Sequence, residues 1–246
     1  MTHPPQFLQS ILTSPRDDAP RLIYADWLDR NGNPLGEFIR LQCQLAQAPS
    51  DEQRLFRERR EQELLADFQS DWSDSLADRV EWCSFRRGFV EEISLSDKHF
   101  IKHATDLFCL APVFDVHLTS EGRRLNGLPE LPWLTHTLFL DLSAQPLGDE
   151  GVERLANAPL LGQVHGLNLG STFLGDGGLD ALIDSPELGS LRELYINDNP
   201  ITDDSIRRFV LTPLVEQLQW LDVRHTEISE EGIGILKRIL GDRVLS

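Results

Sequence analysis

The stretch Leu191-Arg192-Glu193-Leu194-Tyr195-Ile196-Asn197-Asp198-Asn199-Pro200-Ile201 decides the fold, because its apolar positions recur along the chain every 27 residues. Three apolar columns run through the first half of each unit: Leu140, Leu167, Leu194 and Leu221; Leu142, Leu169, Ile196 and Val223; and Leu147, Leu174, Ile201 and Ile228. Two more run through the second half: Val152, Leu179, Ile206 and Ile233; and Leu155, Leu182, Phe209 and Leu236. Columns that keep one register over four units indicate an internal repeat.

Each unit predicts a short strand, a turn and a helix. Leu194 and Ile196 alternate with Tyr195, which is the period of a strand with one buried face. An acidic residue such as Asp176 then precedes a run whose apolar residues lie three and four apart, as at the start of a helix. One unit has too little core to fold alone. We therefore expect an α/β solenoid with parallel strands on its concave face and helices on its convex face.

The spacing L-x-x-L-x-L-x-x-N-x-L in residues 191–201 resembles the leucine-rich repeat, and the helical second half resembles the ribonuclease-inhibitor type. In that family the asparagine of the motif bonds the backbone of the loop. Only Asn199 keeps this residue here, and the other units have Gln145, Thr172 and Thr226. Because buried backbone groups need partners, we expect these polar side chains, or water, to bond the loop instead.

Residues 1–48 carry three short apolar stripes, separated by turn signals, and predict three short helices. The tract Tyr24-Ala25-Asp26-Trp27-Leu28, followed by Gly36-Glu37-Phe38-Ile39-Arg40, closely resembles the bacterial repeat-companion domain. That domain is known as an N-terminal neighbour of leucine-rich and other repeats, and no biochemical activity is established for it. The resemblance covers about the first 45 residues and implies an all-α segment that caps the repeats.

The sequence predicts three parts. Residues 1–48 form the helical domain, and residues 49–81 form a charged connecting and capping helix with arginines and glutamates along its outer face. Residues 82–246 form the repeat region, in which residues 82–136 contain degenerate units and residues 137–246 contain regular 27-residue units. The last residues, from Leu236 to Ser246, are expected to cover the far end of the repeats.

The composition bounds the location and the chemistry. Cys43, Cys83 and Cys109 lie far apart without a C-x-x-C pair, which favours buried thiols in a reducing compartment, and hence a cytoplasmic protein. No apolar run approaches the roughly 20 residues of a membrane span. The local signatures of hydrolases, phosphate-binding loops and zinc proteases do not occur in the sequence. We therefore predict neither an enzyme nor a bound cofactor or metal.

The charge bounds the partner. The chain carries 40 acidic and 23 basic residues, and its net charge is −17. From Thr137 onwards there are 18 acidic and 8 basic residues. Such a surface repels nucleic-acid phosphates and anionic membranes, so we expect a basic or mixed-charge protein or peptide. The alternative is that the charge only keeps the protein soluble. The sequence makes no prediction of the oligomeric state.

Function is predicted on the open face of the sheet, which carries the side chains that alternate with the buried columns. Tyr195 and Trp220 are expected to be exposed there beside Arg224, and these residue types often carry the binding energy of interfaces. The predicted partner-binding residues are Phe139, Asp141, Asn168, Glu193, Tyr195, Asn197, Trp220, Asp222 and Arg224. The sequence thus favours a non-enzymatic scaffold that binds a partner protein or peptide. The alternative for Trp220 is packing on Arg224 or under the C-terminal end.

Two other hypotheses stay open. Leucine-rich-repeat proteins can regulate an enzyme such as a small GTPase or a nuclease, and Arg224 could be presented to a GTPase. Alternatively, the N-terminal helices could hold an unrecognised catalytic or metal site around Asp18, Asp26 and Glu37. The competing interpretation is that these carboxylates pair with nearby arginines and fix a bundle that has little core of its own.

Overall fold

The computed structural model describes residues 3–47, 53–119 and 136–246. The chain forms two compact units, the first from Met1–Ser94 and His103–Val113, the second from Leu95–Lys102 and Phe114–Ser246. The domain boundaries predicted after residues 48 and 81 divide the chain differently and stay predictions.

The first unit begins with three helices, α1 (Pro5–Thr13), α2 (Ala19–Arg30) and α3 (Leu35–Gln47), which confirms the three short helices expected in this region. Prolines occupy the first turns of α1 and α2, where a backbone N–H would have no partner within the helix. Between these helices Ile11, Leu28 and Phe38 are fully or almost fully buried. A longer charged helix, α4 (Arg54–Ser73), follows and buries only Leu64 and Trp72.

An antiparallel hairpin completes the first unit. Strand β1 (Trp82–Arg86) pairs with β2 (Phe89–Ser96) across a turn at Arg87 and Gly88. Both turn residues have positive φ, of 50° and 90°, as a two-residue hairpin turn requires. Both strands lie in residues 82–136, for which the sequence predicted degenerate repeat units, but the sequence did not anticipate the hairpin. The side chain of Gln42, on α3, holds the turn, because its Oε1 accepts a 2.6 Å hydrogen bond from Gly88 N.

A buried ion pair joins α2 to this hairpin. The Arg21 side chain is fully buried, and both Nε and Nη2 donate to Glu91 Oε1. The third contact of the guanidinium is a 2.9 Å hydrogen bond from Nη1 to the carbonyl oxygen of Asp17. Glu91 itself is 6% exposed. The two charges can stabilise the fold only as a pair, because either charge alone would be buried without a counter-charge.

The second unit alternates strands and helices. Its strands are β3 (Asp115–Thr119), β4 (Phe139–Asp141), β5 (Gly166–Asn168), β6 (Glu193–Tyr195), β7 (Trp220–Asp222) and β8 (Val244–Leu245), and each is parallel to the next. The helices α5 (Asp97–Leu110), α6 (Gly148–Ala156), α7 (Asp176–Asp184), α8 (Asp203–Phe209), α9 (Pro213–Gln217) and α10 (Glu230–Leu240) lie between strands, and α5 contributes to both units. The chain is thus an α/β protein with mostly parallel strands and an N-terminal helical segment, as predicted.

The strands pair without offset. Phe139, Gly166, Glu193 and Trp220 are neighbours across β4 to β7, and one residue further along each strand lies the leucine column. The leucines Leu140, Leu167, Leu194 and Leu221 have no exposed surface. The pairing therefore confirms the register that the 27-residue period predicts, and it separates a buried side of the sheet from the open face.

The loops after the strands repeat a strained backbone. Ala144, Ser171, Asp198 and His225 all have φ between 53° and 57°, and they are 27 residues apart. The left-handed region costs a residue with a side chain about 1 kcal/mol or more. Backbone hydrogen bonds between the loops of neighbouring repeats offset this cost. One example is the 3.0 Å bond from Ser171 N to the carbonyl oxygen of Asn197.

The polar column of the repeat bonds the loop backbone. Asn199 donates through Nδ2 to the carbonyl oxygen of Leu169 at 2.7 Å, and its Oδ1 accepts from Thr172 N at 3.0 Å and Leu174 N at 2.9 Å. The counterparts of Asn199 make fewer bonds of the same kind, each to a carbonyl oxygen: Gln145 to Leu118, Thr172 to Leu169 and Thr226 to Val223. The expectation that other polar side chains replace asparagine is therefore confirmed.

The aspartates in the first turns of α6, α7 and α8 bond the next repeat as well. Asp149 Oδ1 accepts a 2.7 Å hydrogen bond from Gly175 N, and Asp176 Oδ1 accepts one of 2.9 Å from Thr202 N. Asp203 repeats the contact with Ser229 N at 2.9 Å. Burial raises the pKa of Asp176, but hydrogen bonds from Ser205 and Thr202 outweigh it and lower the pKa below the ordinary value. The sequence predicted only a favourable position at the helix N-terminus.

The cysteines do not share one environment. Cys43 is buried and burial raises the pKa of its thiol to about 12, whereas Cys83 is partly buried and Cys109 is exposed. The prediction of buried thiols is therefore wrong for Cys109. The reason is helical periodicity, because Ala104, Leu107 and Phe108 take the inward positions of α5 and leave Cys109 on the outside.

None of the helices in the described ranges combines the length and the apolar composition that crossing a bilayer requires.

The buried ion pair generates a first prediction. Arg21→Met should lower the free energy of unfolding by about 3–5 kcal/mol, because it leaves the Glu91 carboxylate buried without its guanidinium. Urea denaturation followed by circular dichroism measures this. Arg40→Met is the matched control, since Arg40 pairs with Asp26 and Asp29 at the surface, and its cost should stay below about 1 kcal/mol.

The double variant Arg21→Met, Glu91→Leu separates charge from packing. It should recover most of the loss, because neither charge of the pair is then left buried without the other. A double variant that is no more stable than Arg21→Met would contradict this explanation.

The polar column generates a second prediction. Asn199→Ala should lower the free energy of unfolding by about 2–4 kcal/mol, because the Leu169 carbonyl and the Thr172 and Leu174 amides lose their partner in a buried place. The same measurement on Asn197→Ala provides the control. Asn197 donates to the exposed Asp198 carboxylate, so its loss should cost less than about 1 kcal/mol. Equal losses in the two variants would refute the role given to Asn199.

Candidate functional site

The parallel register brings the predicted partner-binding residues together. One row across the open face contains Phe139, Glu193 and Trp220, with Gly166 between the first two. The next row contains Asp141, Asn168, Tyr195 and Asp222. Asn197 lies two residues after Tyr195, beyond the end of β6, and Arg224 lies two residues after Asp222, beyond the end of β7. All nine residues thus lie on four neighbouring strands or directly after them.

An aromatic contact crosses β5. Phe139 on β4 and Tyr195 on β6 are two strands apart, and their ring centroids are 6.0 Å apart with the planes at 69°. Gly166 on β5 makes this contact possible, because a Cβ there would lie 2.8 Å from Phe139 Cε2 and closer still to Cδ2. The Phe139 ring therefore lies over the glycine backbone. Edge-to-face pairs of this kind contribute about 0.5–1.5 kcal/mol beyond the area that they bury.

Tyr195 is fixed at its polar end. Its hydroxyl donates a 3.1 Å hydrogen bond to Glu193 Oε2, two residues earlier on the same strand. Burial, together with the negative charges of Glu193 and Asp222, raises the pKa of Tyr195 to about 12. Tyr195 and Trp220 were expected to be exposed, but both are half-buried. For Tyr195 the reason is the cover that Phe139 and Glu193 provide.

Two carboxylates of the open face are already compensated. Arg224 binds Asp222 through Nε, at 3.0 Å from Oδ1, and through Nη2, at 2.6 Å from Oδ2. Asp222 is only 2% exposed because the Arg224 side chain covers it, and its part in binding stays a prediction. On β4 Asp141 lies 3.1 Å from His117 Nδ1. Burial raises the pKa of Asp141, but hydrogen bonds from His117 and Ser143 lower it overall.

Three of the predicted binding residues also shape the turn after their strand. Asp141 Oδ1 accepts a 2.8 Å hydrogen bond from Ser143 N, and Asn168 Oδ1 accepts one of 3.0 Å from Gly170 N. Asp222 Oδ1 accepts the corresponding bond from Arg224 N at 3.1 Å. These bonds of a side chain to the amide two residues later are typical of aspartate and asparagine at turns. Tyr195 is the exception in this row, because its side chain has no carbonyl or carboxylate oxygen to accept such a bond.

Two further residues of the second unit were not among those that the sequence singled out. His117 bonds Asp141, and its ring centroid is 6.0 Å from that of Phe139, so it extends the aromatic contact to β3. Phe173 lies in the loop after β5, is 70% exposed and has a φ of 60°. A bulky side chain in this backbone region is unusual. The signal for Phe173 was present in its column, where the preceding and following units have Pro146 and Pro200.

Arg224, the residue named in the GTPase hypothesis, is already paired with a carboxylate. Its guanidinium makes three contacts within 3.2 Å with the Asp222 carboxylate. Presenting Arg224 to another protein would therefore leave Asp222 buried without its counter-charge.

Asp18, Asp26 and Glu37 of the N-terminal helices each have a different partner. Asp26 contacts Arg40 at 2.5 Å, and Glu37 contacts Arg60 at 2.7 Å and 2.9 Å. Asp18 Oδ2 accepts a 2.7 Å hydrogen bond from Gln47. Across residues 3–47, 53–119 and 136–246 there is no group of three or more His, Cys, Asp or Glu residues arranged to hold a metal ion. The geometry favours the interpretation in which these carboxylates fix the helices.

Comparison of the chain with protein-family models and with curated proteins yields no match. The resemblances to the leucine-rich repeat and to the repeat-companion domain therefore stay predictions.

The contact over Gly166 generates a third prediction. Gly166→Ala should lower the free energy of unfolding by about 1–3 kcal/mol, because the new methyl group overlaps the Phe139 ring and forces it aside. In a Phe139→Ala background the same substitution should cost less than about 0.5 kcal/mol. Denaturation of the four proteins of this double-mutant cycle measures the coupling. An equal cost in both backgrounds would show that the ring does not lie over the glycine.

Proposed function

We propose that this chain is a leucine-rich-repeat solenoid with an N-terminal repeat-companion domain, and that it acts as a non-enzymatic scaffold. On this proposal the protein binds a partner protein or peptide on the open face, which is the concave face of the solenoid. The 27-residue register, the alternation of parallel strands with helices, and the bonds of Asn199 to the loop backbone support the fold assignment.

The observation that carries the binding proposal is the aromatic contact across β5. A row position on a sheet usually holds a side chain, but glycine at 166 makes room for the Phe139 ring, which reaches Tyr195. This arrangement keeps two large rings half-buried in the middle of a polar face. Rigid aromatic side chains that are partly covered before binding lose little conformational entropy when a partner covers them further, which favours them as anchors.

The charge of the face supports a basic or mixed-charge partner. In the described strands of the second unit, Asp115, Asp141 and Glu193 place carboxylates on the open face, and Asp222 lies there beneath the Arg224 side chain. Arg224 is the cation beside them, and the whole chain has a net charge of −17. We therefore propose neither nucleic acid nor an anionic membrane as the partner.

A cytoplasmic location is part of the same proposal. Cys43, Cys83 and Cys109 are all free thiols, and a free, exposed thiol such as that of Cys109 is suited to a reducing compartment.

Affinity capture from a lysate of the source cells tests the proposal. The intact protein should capture a partner. The double variant Tyr195→Ala, Trp220→Ala should capture at least tenfold less of it, because aromatic anchors dominate the binding energy of interfaces. Leu55→Ala, Phe56→Ala is the matched control, since both residues are highly exposed on α4. All three proteins must first unfold cooperatively at similar temperatures.

The controls decide between surfaces. A partner that the Tyr195, Trp220 variant retains as well as the intact protein does would refute binding on the open face. A partner that is lost from the Leu55, Phe56 variant alone would move the interface to the N-terminal unit.

A further inference from the structure

Glu193 stands out on the open face by its surroundings. In its row the neighbour on β5 is Gly166 and the neighbour on β7 is Trp220, so neither adjacent strand brings a cation to it. Its hydrogen bond comes from the uncharged hydroxyl of Tyr195 at 3.1 Å. Within the part of the chain that the structure describes, Glu193 has no ion pair. Asp222 and Asp141, by contrast, face Arg224 and His117.

The aromatic rings beside Glu193 add to the negative electrostatic potential around its carboxylate. Tyr195 and Phe139 meet edge to face, and Trp220 is the next residue of the row on β7. The faces of aromatic rings carry negative partial charge, which attracts cations at distances up to about 6 Å. The pKa of Tyr195 supports a negative potential here: burial raises it to about 12, with the charges of Glu193 and Asp222 acting in the same direction.

We propose, on the basis of the function proposed above, that the partner places an arginine or lysine side chain against the Phe139 and Tyr195 rings, where its cationic group binds the Glu193 carboxylate. One hydroxyl donor occupies Glu193 Oε2, and a carboxylate accepts several more hydrogen bonds. Arginine suits the site better than lysine, because a planar guanidinium can stack on a ring and donate to a carboxylate at the same time.

Other ligand chemistries fit less well. An anionic group would meet Glu193 and the nearby Asp222 without a free counter-charge, because Arg224 is engaged by Asp222. A purely apolar segment would cover the rings but would desolvate the Glu193 carboxylate without giving it a new partner, which costs binding energy. A cationic side chain satisfies both the rings and the carboxylate.

A selection from a library of random 12-residue peptides displayed on phage tests this assignment. The full-length protein is the bait, and the Tyr195→Ala, Trp220→Ala variant serves for counter-selection. We expect the surviving peptides to share an arginine or lysine at one aligned position. Synthetic peptides with that residue replaced by alanine should bind at least tenfold more weakly in fluorescence anisotropy.

A pair of charge variants makes the test specific. Glu193→Gln keeps an acceptor for the Tyr195 hydroxyl but removes the charge, and it should weaken the basic peptides about tenfold or more. Glu216→Gln removes the same charge from the exposed surface of α9 and should leave their affinity within about twofold. Similar losses in both variants would mean general attraction to an acidic protein and would overturn the assignment.

The remaining outcomes separate this inference from the proposed function. Peptides that depend on Tyr195 and Trp220 but lack a common basic position, or that bind Glu193→Gln unchanged, would refute the cation site and leave the face as an interface. A selection that gives only peptides bound equally by the Tyr195, Trp220 variant would count against both proposals.

Discussion

The in-register pairing of parallel strands every 27 residues is the constraint on which the second unit depends. It stacks Leu140, Leu167, Leu194 and Leu221 into a column with no exposed surface. A strand has a period of two, so a shift of one residue in any pair would move the apolar column to the open face and bury the polar one. The free-energy cost of exposing the apolar column holds every strand in register. The register in turn determines where the loops, the helices and the site lie.

Polar side chains extend this register beyond the sheet. Asn199 bonds the loop of the preceding unit, and the carboxylates of Asp149, Asp176 and Asp203 bond the residues that begin the following helix. The backbone groups that Asn199 bonds are buried, so each one left unbonded would cost about 1–3 kcal/mol. The repeats are therefore joined by directional bonds as well as by apolar contact.

The open face is where the sequence is free to differ from unit to unit, because alternate strand positions do not enter the core. Three of the four units use aspartate or asparagine in the second row to bond the following turn, and β6 has Tyr195 instead. The exception coincides with Gly166 on the adjacent strand and with Phe139 reaching over it. Departures from the repeat thus converge on one place, and this convergence, more than any single residue, marks the site that we propose for binding.

The sequence by itself determined the helices of the N-terminal segment, the strand and helix of each unit and the register of the rows, because burial of regularly spaced apolar residues decides all three. It did not determine which side chains of the open face bond one another. Asp222 belongs to an exposed row by its position, yet Arg224 covers it, and Phe139 contacts Tyr195 across a glycine that the spacing alone does not connect with either. The sequence also did not predict the hairpin, or the ion pair between Arg21 and Glu91, which are 70 residues apart in the chain. Periodicity fixes which side of an element is buried, whereas the direction of a side chain and its partner depend on neighbours that only the tertiary structure brings together.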